Sequence, residues 1–499
     1  MARVACFFSV EYFDTVEHPL PDWDKIPYGL AVIAACLESA GHDVRCWVVC
    51  PKTPLARVAR EVVHEFCCDT VLATSVSTEF PLISRLCSQV KLLKPLLPIL
   101  VGGVHASIRS EECLSSHGVD AVCVGEGEEA ALAWVDAIAR GVQPRAIPGL
   151  WIKIKGGEEI DRTPSLPFRA ELDDLPLINY AHWERWVNPD SRMVHVVVGR
   201  GCPYSCTYCS NHALRSLQSG TYLRFRSAAS ILPEIQGLLC RFPDLQSIYL
   251  EIETIGACIP WLLEFCEQIA RFNGRLKQPI AFQANFAVTS QLVCNNERLL
   301  AVLRALRDAN IVRMNVGLES GSPRIRKDIL NRPSYTNEDL IHFCQTARQE
   351  GIEVSLYMLI GVPTETPVEA RETSVVARAC LPAEIFPSIY YPYPGTRLCE
   401  LSARMHLIDT SALGTRAERS RVYLKSRDFP RWRVFFEYIM MRWRVFYGRR
   451  HTFQLLRVTA FTILCSAPSV LNPIVHVQKA FRRLRLSLHS SAPIPGPIN

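Results

Sequence analysis

Apolar residues in the first 140 positions come in short runs separated by stretches of helical spacing. Val4–Val10, Val44–Val49, Thr70–Thr74, Ile99–Val101 and Ala121–Val124 are compact and rich in branched side chains, the pattern of strands buried on both faces. Between them, Tyr28–Ala40 carries apolar residues every three or four positions and stops at Gly41, which suits a helix end. Leu55–Phe66, Pro81–Lys94, Arg109–Ser116 and Glu128–Arg140 predict further helices. Five strands alternating with five helices predict a doubly wound parallel sheet. Ligands on such sheets bind beyond the carboxyl ends of the strands. There the chain offers Ser75, Ser77 and Thr78, then Gly102, Gly103 and His105, then Gly125, Glu126 and Gly127. Three short loops of this kind predict a broad, flat shelf for a large planar ligand. No G-x-G-x-x-G follows the first strand, which disfavours a dinucleotide.

Residues 1–145 are therefore expected to form one domain and 146–190 a connector, in which Gly149–Gly157 reads as a hairpin turning at Gly156–Gly157. From 191 to 405 strand and helix patterns alternate again, as a partial (β/α)6 barrel requires. Its strands end in polar residues. Ser247–Ile252 ends in Glu251 and Glu253, which alternation aims to one side, Gln283 and Asn285 share a face of Ile280–Phe286, and Val312–Glu319 ends in Glu319. Val354–Pro363 carries Ile360 and Gly361, and the aromatic run Tyr390–Thr396 closes the series. Residues 406–499 read as mainly helical, with a helix at Trp432–Tyr447 that is aromatic on one face and basic on the other. That helix is expected to close the barrel mouth, and a proline- and serine-rich tail from Ser490 is expected to be disordered.

Composition narrows the class. The chain has 499 residues, 48% of them hydrophobic and 21% charged, with 20 cysteines in no regular framework. Scattered thiols and the lack of a recognisable leader at Met1 point to a reducing cytoplasm rather than a disulfide scaffold. The net charge of +6 comes largely from late arginines, including Arg482–Arg485. Without a nucleic-acid-binding motif it does not argue for such a partner. Val458–Gln478 is uncharged but interrupted by Pro468 and Pro473, so a spanning helix is not expected; a packed helical cap is, with peripheral membrane contact as the alternative.

The densest chemistry lies at Gly199–Ser210, Gly-Arg-Gly-Cys-Pro-Tyr-Ser-Cys-Thr-Tyr-Cys-Ser. Cys202, Cys206 and Cys209 have C-x3-C-x2-C spacing, tight enough to hold three irons of a [4Fe–4S] cluster and leave the fourth open. Gly199 and Gly201 would let the backbone bend close to the inorganic core, and Tyr208 would shield one side. The competing reading is a structural zinc site completed by His212. The loop, with the strand Val194–Val198 before it, resembles the signature of the radical S-adenosylmethionine (SAM) superfamily. The order Tyr28-Gly-Leu-Ala, Ala40-Gly-His-Asp-Val, Val101-Gly-Gly-Val-His-Ala and Gly125-Glu-Gly-Glu resembles the cobalamin-binding domain that precedes many radical SAM domains.

That resemblance implies three cofactors, a [4Fe–4S] cluster, SAM and cobalamin. It implies that Tyr208, Glu251, Glu253, Gln283, Asn285, Glu319, Ile360 and Gly361 surround SAM, without deciding between Glu251 and Glu253. Ile360 and Gly361 would cradle adenine. The shelf residues named above would hold cobalamin, with His105 at the corrin edge. The Asp-x-His-x-x-Gly loop of cobalamin mutases is missing after the first strand, where the chain reads Glu11 to His18, so no lower histidine ligand is expected. The implied activity is methylation of an unactivated carbon or a phosphorus centre in a small molecule, with a one-electron reductant such as flavodoxin or ferredoxin as partner. Cyclisation or rearrangement on the same cofactors, a methylthiotransferase, and a non-enzymatic cobalamin or metal sensor are the alternatives.

Overall fold

A computed structural model describes residues 1–466, except 12, 14, 155–158, 409–420 and 451. The Gly156–Gly157 turn, the arginines at 482–485 and the tail from Ser490 lie outside the described residues.

The first five strands are β1 (Arg3–Ser9), β2 (Asp43–Val49), β3 (Thr70–Thr74), β4 (Ile99–Gly102) and β5 (Ala121–Cys123). They pair in parallel in the order 2-1-3-4-5, with a switch point between β1 and β3. Both faces are apolar because both are covered. Val4 and Cys6 pack towards α1 (Tyr28–Ser39), whereas Ala5 and Phe7 pack towards α2 (Leu55–Arg60) and α3 (Phe80–Leu93). Two short helices, α4 (Gly103–Ile108) and α5 (Ser110–Ser115), follow β4, and α6 (Glu128–Ala139) follows β5. The single helix expected at Arg109–Ser116 is thus preceded by another, and Gly103 and His105 begin a helix rather than a loop. Gly103 takes φ +92°, and a side chain there would run into Thr74.

The hairpin is also more than a connector. Its strands, β6 (Leu150–Lys153) and β7 (Ile160–Arg162), add antiparallel to β5 and extend the sheet to seven strands. The sheet therefore continues past residue 145. A short α7 (Ala181–Glu184) leads into the second half.

There, six parallel strands lie in chain order: β8 (Met193–Val197), β11 (Ser247–Glu251), β12 (Ala281–Phe286), β13 (Ile311–Glu319), β14 (Glu353–Ile360) and β15 (Glu384–Ile389). Between β8 and β11 a two-residue clip, β9 (Gly199–Arg200) with β10 (Arg224–Phe225), pairs antiparallel. The helices are α8 (Asn211–Arg215), α9 (Ala228–Arg241), α10 (Ile259–Asn273), α11 (Ser290–Val293), α12 (Asn296–Asp308), α13 (Asn337–Gln349), α14 (Pro367–Ala379) and α15 (Arg397–Arg404). Capping boxes start α13, from Thr336 and Asp339, and α14, from Thr366 and Glu369. β12 shows how the strands are built: Phe282, Ala284 and Phe286 are buried under helices, and Gln283 and Asn285 take the opposite, inner face.

The C-terminal region departs from expectation. The helix α16 (Arg431–Phe446) runs antiparallel to β15 beside α14, as the outer helix that follows β15 in a barrel. Val434 at its start packs on Gly361, and Arg442 near its end donates to Glu384 at 2.8 Å. Glu437 is fully buried and compensated by Arg371, Arg433 and Arg444. The helix therefore covers the outer flank of β14 and β15 rather than the mouth. In the last helix, α17 (Thr452–Ser466), Thr459 Oγ1 accepts from Trp443 Nε1. No helix among the described residues is long and apolar enough to cross a membrane.

Candidate cofactor site

The three-cysteine loop leaves β9 and is tied down at almost every turn. Thr207 donates through its amide to Leu330 O (3.0 Å) and through Oγ1 to Ile329 O (2.6 Å), and accepts from the Leu398 amide (2.9 Å). Asn331 Nδ2 donates to Ser205 O at 3.0 Å, and the Arg215 guanidinium donates to Cys202 O. Gly199 and Gly201 lie against the far side of the clip. Their missing side chains make room for the 222–224 backbone of the clip, which Gly201, at φ +86°, meets edge-on.

The thiols have neighbours suited to anionic sulfur. Asn211 Nδ2 donates to Cys209 Sγ at 3.2 Å, and Arg332 Nη1 lies 3.7 Å from Cys206 Sγ. Burial pushes the Cys202 thiol up to about 12, with nearby Glu253, Cys206 and Cys209 adding to the rise. Cys209 is raised for the same reasons. Such crowded thiols give up their protons to a cationic metal core. No three His, Cys, Asp or Glu groups among the described residues converge on one ion. His212 turns Nε2 to the Arg397 amide at 3.3 Å. A cubane, in which each thiolate takes a different iron, does not need the three thiols to converge on one ion.

Arg332, Glu365 and His195 were not singled out from sequence. Arg332 has its guanidinium within 3.1 Å of Tyr208 OH, 2.8 Å of Gly317 O and 3.9 Å of Glu319 Oε1. Its place, fifteen residues past Gly317 in a polar loop, carried no periodic signal. Glu319 itself sits at φ +56° where the β13–β14 register shifts, so a bulge re-aims it toward Arg332.

The two acids after β11 part company. Glu251 Oε2 is bound by His195 Nδ1 at 3.0 Å, and the His195 ring stacks on Tyr249 with centroids 4.5 Å apart. Glu253 lies beyond the strand, near enough to Cys202, Cys209 and Tyr222 to raise their pKa values. It reaches open space, yet protein crowds it enough to strip hydration and raise its carboxyl; the Asn211 amide opposes this and Glu251 adds to it. Across the lumen, Tyr249 OH donates to Asn285 Oδ1 (2.6 Å) and accepts from Asn315 Nδ2 (3.0 Å). Gln283 shares that face, beside Tyr249 in register.

At the expected adenine cradle, Ile360 and Gly361 meet protein groups. The Gly361 amide donates to Glu365 Oε2 at 2.6 Å, Ile360 O accepts from the Tyr390 amide at 2.8 Å, and Val434 occupies the space beside Gly361. Gly361 admits a protein side chain and a left-handed turn, φ +76°. Tyr390 and Tyr391 are buried instead of lining a mouth.

On the first sheet the shelf residues divide into two groups. Ser75 is buried and its hydroxyl has no hydrogen-bond partner, next to exposed Val76, half-buried Ser77 and Thr78, and Gly102. An orphan hydroxyl at the carboxyl end of a central strand fits a ligand on this edge. His105, by contrast, is turned inward. Its ring lies tilted against Phe80 with centroids 4.6 Å apart, its Nδ1 is 3.1 Å from Ser77 Oγ, and burial pushes its pKa below the usual imidazole value. Gly125, Glu126 and Gly127 are taken by protein contacts. Gln218 fills the space beside Gly125, Ile33 and Cys123 crowd Gly127, and the Glu126 carboxylate pairs with Arg200 and Arg224.

Residues 196–374 match the model of the radical SAM superfamily, and residues 23–135 match that of the B12-binding domain. A methyltransferase of Pyrococcus horikoshii is 26% identical over 77% of this chain and 80% of its own length. Cytidylyl-2-hydroxyethylphosphonate methyltransferase of Streptomyces wedmorensis is 24% identical, over 69% of this chain and 70% of its own. Anaerobic magnesium-protoporphyrin IX monomethyl ester cyclase of Rubrivivax gelatinosus is also 24% identical, over 77% and 67%. The solved structure of the radical SAM methyltransferase TsrM from Kitasatospora setae, with cobalamin and a [4Fe–4S] cluster bound, superposes with a TM-score of 0.63 at 18% identity. That match covers 81% of this chain and 75% of TsrM. The chain is a radical SAM protein. Its B12-binding domain places it, more narrowly, among the cobalamin-dependent members of that superfamily.

Proposed function

We propose that this chain is a cobalamin-dependent radical SAM methyltransferase that modifies an unactivated carbon or a phosphorus centre of a small molecule. One observation carries the reading: the carboxyl edge of the first sheet faces the three-cysteine loop. Ile108 of α4 fills the space beside Gly395, and the Glu126 amide donates to Oε1 of Gln218, just past α8, at 2.9 Å. A substrate between the two edges would meet both cofactors. When bound, the cluster supplies the electron that cleaves SAM, and cobalamin carries the methyl group.

Cys202, Cys206 and Cys209 would hold the cluster. Arg332 and Asn211 offset the negative charge on the sulfurs. Glu253 is the better candidate to receive the SAM ammonium, because it lies by Cys202 and Cys209 while Glu251 is engaged by His195. Glu319, Gln283 and Asn285 are left to contact SAM or substrate from the lumen wall. Ser75, Ser77, Thr78, Gly102 and Gly103 would border the corrin. A one-electron reductant and peripheral membrane contact belong to this reading too.

The test is turnover with methyl-deuterated SAM on the reconstituted protein. Product carrying the label supports methyl transfer. A product that loses hydrogen without gaining the label favours the cyclase reading, which the Rubrivivax gelatinosus relative keeps open. A loaded protein that forms no 5′-deoxyadenosine overturns both.

A further inference from the structure

Glu126, Glu128, Arg200 and Arg224 form a closed ion network between the two sheets. The acids belong to the turn after β5 and the first turn of α6; the guanidiniums belong to the β9–β10 clip, and Arg200 stands two residues before Cys202. Arg224 grips Glu126 with two bonds, of 3.0 and 2.8 Å. Arg200 bridges both acids, at 3.2 Å to Glu126 and 2.6 Å to Glu128. Glu126 also accepts from the Arg169 amide at 3.1 Å. Burial alone would raise the Glu126 carboxyl, but the Arg224 and Arg200 contacts outweigh it and hold the group below the usual carboxylate range. The Arg224 side chain is 4% exposed and that of Glu128 7%, so salt screens this network weakly.

The network ends on the two segments that matter most to a two-cofactor enzyme. On one side, the amide of Gly125 donates to Ser107 Oγ in α4 at 3.1 Å, tying the acid turn to the shelf. On the other, the clip leads directly into the cysteine loop. Glu126 and Arg200 are 74 residues apart in sequence, so chain connectivity does not fix their spacing. We infer that Glu126, Arg200 and Arg224 are positioning residues that set the distance between the corrin shelf and the cluster loop. This rests on the two-cofactor reading above. A two-bond guanidinium–carboxylate pair suits the task because it fixes orientation as well as distance.

The test uses the full chain reconstituted with cluster and cobalamin and reduced so that the cluster and cob(II)alamin are both paramagnetic. Pulsed electron paramagnetic resonance then reads the distance between them. The wild type is expected to give one narrow distance, and Glu126→Gln and Arg224→Gln a broadened or shifted one at undiminished cofactor loading. Arg57→Gln, which breaks an exposed helix pair with Glu61, is expected to change nothing. Hydrogen exchange on the cofactor-free chain is the second measurement. Amides at 199–201 and 222–225 should exchange roughly tenfold or more faster in Glu126→Gln, while β1 and β3 keep wild-type rates. An unchanged distance in both variants, or unchanged exchange at the clip, overturns the inference. Failure to retain any corrinoid overturns the proposed function instead, and the exchange measurement still decides whether this network holds the clip.

Discussion

The cysteine loop and the cobalamin shelf are both built from small and polar residues at strand ends, and they hold up differently under the same reasoning. In the loop, Cys206 and Cys209 stand close enough to Cys202 to raise its pKa, with Tyr208 and Arg332 beside them. On the shelf, only part of the expected set is left to face a ligand. Gly125 and Glu126 are consumed by contacts with the second half of the chain, Gly127 is crowded by Ile33 and Cys123, and His105 is buried. The lesson is that a thiol triad states its chemistry through residue type and spacing, whereas a glycine or an acid at a strand end has many uses. Its neighbours choose among them.

The largest effect that would break this contrast is at the loop. Cys202→Ala, Cys206→Ala and Cys209→Ala are each expected to abolish cluster binding and 5′-deoxyadenosine formation, read by cluster absorption and by chromatography. Retained cleavage in any of the three would remove the loop from its assigned role.

Glycines in the two regions sharpen it next. Gly201→Ala puts a side chain against Tyr222 O at a left-handed backbone position, and is expected to cost roughly 2–4 kcal/mol in chemical denaturation. Gly29→Ala in α1 meets nothing within 4 Å and is expected to be neutral or stabilising by up to about 1 kcal/mol. Equal losses at both sites would mean that the clip is not what holds the loop.

A pH-dependent effect concerns Glu365, between β14 and α14. Burial lifts its carboxyl to about 8, although the Gly361 and Val362 amides pull the other way. The folded chain keeps this proton where the unfolded chain has lost it. Its contribution to stability is therefore full below pH 4.5, falls as pH rises to about 8, and is level above that. The slope is at most about 1.4 kcal/mol per pH unit. Glu365→Gln should remove that slope from the pH dependence of urea unfolding, and an unaltered profile would mean that Glu365 ionises normally.

Much of the architecture was legible along the chain. The strand runs at Thr70–Thr74 and 44–49 and the polar–apolar alternation of β12 follow from burial on two faces or one. What escaped was of one kind. Helix α4 starts at glycines that read as a loop, the hairpin joins the sheet, and the Trp–Arg helix takes an outer barrel position because Gly361 and Ile389 offer it an apolar seat. Arg332 was missed because a lone arginine in a polar loop looks like any solvated one until Cys206 and Tyr208 surround it.

Sequence alone determined the two alternating α/β halves, the three thiols and the kind of metal core they suit, because periodicity and ligand spacing are local properties of the chain. Tertiary structure decided which acid after β11 stands by the cysteines, which shelf residues are free and how the two halves are joined. Those outcomes depend on groups such as Glu126 and Arg224, 98 residues apart, and a carboxylate has no preference between a ligand and a guanidinium until the fold presents one of them.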